Sequence, residues 1–288
     1  MWKRLCITLI WVVVIVLAGV WVAGVDMSVI YPKGRIAIEQ RDLFVLATLL
    51  MLIVVIPVFL LTLIISWRYR ANNPKAKYTP DHDHNIWAEV IWWGIPFIII
   101  VILGSVNWVA SYKLDPYKPL AHKTPPLKIQ VVALDWKWLF IYPEEKIATV
   151  NFLQFPADTP LDFEITADAP MNSFWIPELG GQIFAMPGMR TELHLIADTE
   201  GEFRGVSANL SGRGFSEMTF VARASSRGEY KKWVRRCQLS RKVLDTAAYE
   251  ALRKPSENNL VQLFSLRDFH IFNHVIMHYM HPKETHDA

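Results

Sequence analysis

LFVLATLLMLIVVIPVFLLTLIISW, residues 43–67, runs for 25 residues without an Asp, Glu, Lys or Arg. A helix needs about 20 apolar residues to cross the hydrocarbon of a bilayer. Two further stretches share this property: residues 90–112, VIWWGIPFIIIVILGSVNWVASY, and residues 5–25. Together they take up 69 of the 288 residues, so all 57 charged side chains fall in the other 219 and make up 26% of them. About 25% is ordinary for a water-soluble domain. The chain is therefore a composite of a small membrane part and a soluble part. Its mean hydropathy of +0.20 averages the two and describes neither.

Several classes are excluded. The charged fraction and the twelve Trp do not suit a disordered chain. A net charge of +3 without a Lys/Arg run argues against nucleic acid as a partner. Cys6 and Cys237 lie in different regions, so neither a disulfide framework nor a thiol-based metal site is expected.

Trp67, Trp92, Trp93, Trp108 and Tyr112 lie towards the ends of the two long spans, where interfacial aromatics belong. Pro57 and Pro96 sit inside them, which neighbouring helices make tolerable. Residues 5–25 leave two readings open. Lys3 and Arg4 before the run, and Ala23 and Gly24 at its end, resemble a signal peptide. Its 21 residues exceed the roughly 7–15 of a signal core, which favours a retained helix. Arg68, Arg70, Lys75 and Lys77 in the loop 68–89, with Lys3 and Arg4, outweigh Lys33, Arg35 and Arg41. The N-terminus and that loop are then inside, and everything after residue 112 is outside.

Residues 115–126 carry four prolines and read as a linker. Beyond it the pattern becomes short strands: 128–134, 136–142, 147–152, 161–167, 190–197, 202–208 and 217–224, separated by turn residues such as Asp158-Thr159-Pro160 and Gly180-Gly181. About seven short strands in about 100 residues describe a β-sandwich. Residues 229–239, 243–253 and 268–280 return to helix. The fold class is membrane-anchored α+β. Its expected parts are a signal peptide or span at 1–25 and a helical hairpin within 26–114. The linker 115–126, a sandwich over 127–225 and a helical extension over 226–288 follow.

The runs Asp135-Trp136-Lys137-Trp138, Asn172-Ser173-Phe174-Trp175-Ile176-Pro177-Glu178-Leu179-Gly180 and Gly205–Met218 resemble subunit II of the haem-copper oxidases. In detail they are most similar to the quinol-oxidase branch, of cytochrome bo type, and the resemblance covers about residues 31–264. It implies a transmembrane hairpin against a haem-bearing subunit I and a cupredoxin-like periplasmic domain, in a bacterial inner membrane. The copper-bearing branch, the cytochrome c oxidases, holds two coppers in this domain with His, then Cys-x-Glu-x-Cys-x-x-x-His-x-x-Met. Laid on this chain, those ligands fall at Asn172, Ser207, Asn209, Ser211, Phe215 and Met218. Only the Met is retained. Bridging thiolates hold such copper, whereas a Ser hydroxyl is neutral and hard and Phe has no lone pair. The site is expected to be without metal, and Met218 to be a core side chain.

Without copper the domain cannot accept electrons from cytochrome c. The resemblance then implies that ubiquinol is oxidised in subunit I, where the haems and copper reside, and that this chain is a structural subunit touching subunit I, other oxidase subunits and membrane lipid. No cofactor is expected in the chain itself. A copper-bearing cytochrome c oxidase subunit, or a membrane-anchored binding module outside respiration, are the competing readings. Glu89 opens the second long span, and in this family the Glu at that place lies at the mouth of a proton pathway; an interfacial anchor is the plainer alternative.

Two other patterns are weaker. Asp81-His82-Asp83-His84 reads as a solvated, cap-forming loop rather than a metal cluster. His270, His274 and His278, with His281 next to them, recur on one helical face without a carboxylate or Cys and read as a surface stripe. Relatives carry a lipidated Cys where this chain has Val25, which puts lipidation in doubt.

Overall fold

The computed structural model describes residues 19, 27–77 and 84–280. The leading stretch with Cys6 and Val25, the loop residues 80–83 and His281 lie outside the described residues. The chain divides into two compact units, Glu39–Lys118 and the remainder.

Helix α1 covers Arg35–Arg68 and helix α2 covers Ile86–Lys113. At 1.5 Å per residue they reach about 51 and 42 Å, and both exceed the roughly 30 Å of hydrocarbon. None of their apolar stretches is buried against this chain, so they are not core helices of a soluble domain. Lys113 pairs with Glu39 at 2.9 Å, which sets the end of α2 beside the start of α1 in an antiparallel hairpin. Both helices outrun the charge-free spans 43–67 and 90–112, because absence of charge marks only the part that meets hydrocarbon. Thr48, Thr62, Ser105 and Ser111 each donate to the carbonyl four residues earlier at 2.8 Å, which satisfies these four hydroxyls within their own helices.

The other unit holds two sheets. Strands β1 (Leu127–Leu134), β2 (Lys137–Tyr142), β3 (Ile147–Val150), β5 (Leu161–Ala167) and β8 (Thr191–Leu195) belong to one. Strands β4 (Phe152–Pro156), β6 (Asn172–Trp175), β7 (Ile183–Ala185), β9 (Gly201–Ser207) and β10 (Thr219–Ser225) make the other, in the order β4-β10-β9-β6-β7. Between them lies an aromatic core in which Phe174 stacks on Phe220 at 5.2 Å and Trp138 meets Phe174 edge-on at 5.3 Å. The expected strand 147–152 is in fact two. Asn151 adopts a left-handed backbone (φ 55°) and its Oδ1 accepts from Trp138 N at 2.9 Å, so the chain leaves one sheet and enters the other. Strands β6 and β7 were not foreseen, and the strand expected over 217–224 begins only at Thr219 because Phe215–Glu217 forms a 3₁₀ turn.

The C-terminal extension is not purely helical. Helices α3 (Arg227–Gln238), α4 (Thr246–Arg253) and α5 (Ile271–Met280) are joined by strands β11 (Val243–Leu244) and β12 (Gln262–Leu266). β12 pairs antiparallel with β3, and β11 with β12, which completes the larger sheet as β11-β12-β3-β2-β1-β5-β8. This sheet is covered on both faces. Val131, Ala133, Trp138 and Phe140 enter the sandwich core, while Val132, Leu134, Leu139 and Ile141 pack against Tyr249, Phe272 and Val275 of the extension. Two-sided burial explains why β2 is buried along its whole length and reads as a continuous apolar run instead of an alternation.

Residues 33–37 are strapped to the sandwich. Lys33 N and Gly34 N donate to Glu178 O at 2.8 and 3.0 Å, and Ala37 N donates to Leu179 O at 3.2 Å. A Cβ on Gly34 would stand 2.6 Å from Ile196 O and 2.7 Å from Leu179 O, so only glycine fits there. The Ile176–Gly180 motif thus receives the strap. Trp175 Nε1 closes it by donating to Gly180 O at 3.0 Å.

Candidate functional site

β6 begins at Asn172 and β9 ends at Ser207, and the two strands are antiparallel neighbours. The register sets Ser207 opposite Phe174, so Asn172, two residues further along β6, lies diagonally across from Ser207. Both are buried, Asn172 at 1% and Ser207 at 5% exposed. Ser207 Oγ donates to Asn172 Oδ1 at 2.9 Å, and Asn172 Nδ2 donates to Pro170 O at 2.7 Å. Asn209 Nδ2 donates to Met171 O at 2.8 Å. Burial without partners would be costly, and these groups satisfy one another. Met218, wholly buried, stands opposite: its carbonyl accepts from Ser207 N at 3.2 Å and its side chain belongs to the sandwich core.

Ser211 and Phe215 share none of these side-chain contacts. Ser211 lies on an arc that wraps Trp136, whose Nε1 donates to Ser211 O at 3.3 Å. Its own hydroxyl is buried with no partner within reach. Trp136 holds a left-handed backbone (φ 59°) at the turn between β1 and β2. A Cβ at Gly214 would come 2.6 Å from its ring, so the arc can close on the indole only as glycine. Arg213 lies 5.9 Å from that ring and its Nε meets Glu257 Oε1 at 2.6 Å, which ties the arc to the C-terminal extension.

The six positions thus fall into a hydrogen-bonded group (Asn172, Ser207, Asn209), a core thioether (Met218) and two outlying residues. As a donor set they do not fit a two-copper centre. No thiolate is among them, and the oxygen and nitrogen atoms of the central pair are engaged with each other and with backbone. Among the described residues no group of three or more His, Cys, Asp or Glu is arranged to hold a metal. Cys237 stands apart and buried. Burial pushes its thiol up to about 12 against the pull of Arg236, which keeps it protonated and unreactive.

Glu89 lies in the first turn of α2, a separate place. Asn85 caps that helix: its Oδ1 accepts from Trp87 N and Ala88 N at 3.1 Å each. His84, read from sequence only as part of a solvated loop, is exposed and also meets Glu89. Its Nδ1 lies 2.6 Å from Glu89 Oε1. The missed signal was a His five residues before a Glu with an Asn cap between them. His270, just before α5, and His274 and His278 on it form an exposed row, with the first two rings 6.1 Å apart and His278 Nε2 3.1 Å from Arg253 Nη2.

A family model described as the cytochrome c oxidase subunit II periplasmic domain matches residues 105–225, and one described as the COX aromatic rich motif matches residues 238–283. The cytochrome bo(3) ubiquinol oxidase subunit 2 of Pseudomonas putida is 55% identical over 243 residues, which span 84% of this chain and 77% of that protein. Its counterpart in Pseudomonas aeruginosa is 50% identical over 265 residues, 92% of this chain and 80% of that one. The ubiquinol oxidase subunit 2 of Acetobacter aceti is 47% identical over 259 residues, 89% and 84% respectively.

Proposed function

The chain belongs to the ubiquinol oxidase subunit 2 family, and on that basis we propose that it serves its complex without a redox centre of its own. The complex couples oxidation of ubiquinol to reduction of oxygen to water, with protons moved across the membrane. The haems and copper belong to a partner subunit I, against which α1 and α2 pack in the bilayer of a bacterial inner membrane. The sandwich, with the C-terminal extension, lies on the periplasmic side. The isolated chain is inactive.

The observation that carries this reading is the hydrogen bond of Ser207 to Asn172 at 2.9 Å. The positions that would offer a thiolate and an imidazole offer instead a hydroxyl and an amide that satisfy each other in a buried pair. A domain built so has nothing with which to accept one electron from a soluble cytochrome c. The donor is therefore a membrane-soluble quinol that reaches subunit I directly. Titration of the purified oxidase with Cu(I) and Cu(II) tests this: no thiolate-to-copper absorption is expected from this chain, and such a band at stoichiometric copper would overturn the reading.

Glu89 is the one residue to which we assign a part in proton movement, as the entrance of a pathway into subunit I. It stands at the N-terminal end of α2, on the side that the basic loop residues make the inner one. Glu89→Ala should slow ubiquinol-driven turnover about tenfold or more, the scale of losing a positioned proton-transfer group, with haem content unchanged. Turnover equal to the wild type would leave Glu89 as an interfacial anchor.

A further inference from the structure

We propose that His84 is the proton-collecting partner of Glu89, a positioning residue that hands protons from water to the entrance carboxylate. The inference rests on the reading of Glu89 as that entrance. Asn85 is the N-cap of α2, so His84 occupies the position before the cap and Glu89 the fourth helical position. In soluble helices these two places often hold an apolar pair that packs together and fixes the path into the helix. This chain fills them with an imidazole and a carboxylate whose Nδ1 and Oε1 lie 2.6 Å apart. As a stabilising device the substitution is poor. The side chains are 64% and 36% exposed, and exposed ion pairs contribute little, about 0–1 kcal/mol.

As a proton relay the arrangement is complete. Nδ1 faces the carboxylate and Nε2 is the ring's other proton site. A proton from water binds Nε2 of the neutral ring; the imidazolium passes its Nδ1 proton to Glu89; the ring is left neutral with its hydrogen on Nε2. One proton enters and one leaves. Loss of the Nε2 hydrogen to water and capture of another at Nδ1 restores the first tautomer with no net proton change, an exchange open to a ring that is 64% exposed. Among the described residues His84 is paired with no other charged side chain. The cap bonds from Trp87 N and Ala88 N to Asn85 hold the turn that keeps the pair together.

The test uses the assembled oxidase with His84→Ala, His84→Gln, Glu89→Ala and the His84→Ala/Glu89→Ala double variant, with haem content confirming assembly. His84→Ala should slow ubiquinol-driven oxygen uptake about threefold or more near pH 8.5, where free protons are scarce, and little near pH 6. Added imidazole should restore the alkaline rate in His84→Ala, but not in the double variant, which should be no slower than Glu89→Ala. His84→Gln, which keeps a polar side chain but no titrating ring, should show the same alkaline loss. If Glu89→Ala is slow while both His84 variants match the wild type at every pH, this proposal falls and the Glu89 reading stands. A loss that is flat with pH and not relieved by imidazole also overturns it, as a cap defect. Wild-type turnover in Glu89→Ala removes both.

Discussion

Ser207 donates its hydroxyl hydrogen to Asn172 Oδ1 at 2.9 Å, across the antiparallel pair of β9 and β6. The contact joins two positions that the copper-bearing branch uses as ligands, and it turns them into a structural pair. Asn172 is then held for packing: its Nδ2 is committed to Pro170 O and its Oδ1 to Ser207.

Asn172→Ala should therefore destabilise the sandwich while leaving turnover intact. The change removes the donor to Pro170 O and leaves the buried Ser207 hydroxyl only its longer contact to Asn209 O at 3.4 Å, at about 1–3 kcal/mol. A lower Tm with unchanged ubiquinol-driven oxygen uptake is the expected outcome. A loss of uptake at full haem content would give the pair a part in electron transfer after all.

Asp168 ties the C-terminal extension to the sandwich. Its carboxylate, 3% exposed, accepts from Tyr249 Oη at 2.5 Å, Tyr279 Oη at 2.8 Å and Arg253 Nε at 3.0 Å. Burial, and then the bond to Asp168, push the Tyr249 phenol up, so it remains a donor throughout the physiological range. Asp168→Ala takes the shared acceptor from Tyr249, Tyr279 and Arg253, although Arg253 keeps Glu250 at 3.7 Å and His278 at 3.1 Å. The cost should be about 3 kcal/mol, the low end for a buried pair, because water still reaches part of Arg253. Limited proteolysis should then cut between residues 238 and 280 before it cuts the sandwich. An unchanged digestion pattern would count against the tie.

Glu164 should make the domain sensitive to acid. Burial alone would raise its carboxyl, but hydrogen bonds from Gln130 and Lys128 and the charges of Arg190 and Lys128 outweigh it and hold the group below its usual value. The folded protein then binds this proton less readily than the unfolded chain. Stability from the cluster is complete above the ordinary Glu value of about 4.3 and lost as pH falls through the lower folded value. Glu164→Gln should lower Tm near pH 7, and its gap from the wild type should shrink in acid. A gap that stays constant with pH would mean that the carboxylate charge is not what stabilises the cluster.

Gly34→Ala should release the strap. The added methyl would face Ile196 O and Leu179 O at 2.6 and 2.7 Å, both backbone atoms that cannot rotate away. A cost of about 1–3 kcal/mol is expected. Faster amide exchange at Lys33, Gly34 and Ala37, with the strands themselves still protected, would report it. Unchanged exchange would show that the contact yields.

Much of the membrane part was legible because charge is expensive in hydrocarbon, so residues 43–67 and 90–112 stood out by what they lack. The ends of α1 and α2 were not, since a helix runs on into the interface where charge is welcome, from Arg35 and to Lys113. In the sandwich, β2 was legible and β4 was hidden. Nothing in the residue types announces that Asn151 turns left-handed and moves Phe152 to another sheet. β12 was missed for a different reason: its partner β3 lies more than 100 residues earlier, beyond any local pattern. The vacated ligand positions could be named from spacing alone. That two of them bond to each other could not, because it depends on strand register, and the His84–Glu89 pair depends on a cap geometry that short polar runs do not reveal.

The central claim is that this chain works within a quinol-driven oxidase, and recovery of the tagged chain from its own membranes tests it most directly. The expected result is a complex that carries haem and a large polytopic subunit and consumes oxygen with ubiquinol, but not with reduced cytochrome c. Recovery of the chain alone, without haem, or of a complex that takes electrons from cytochrome c, would contradict it.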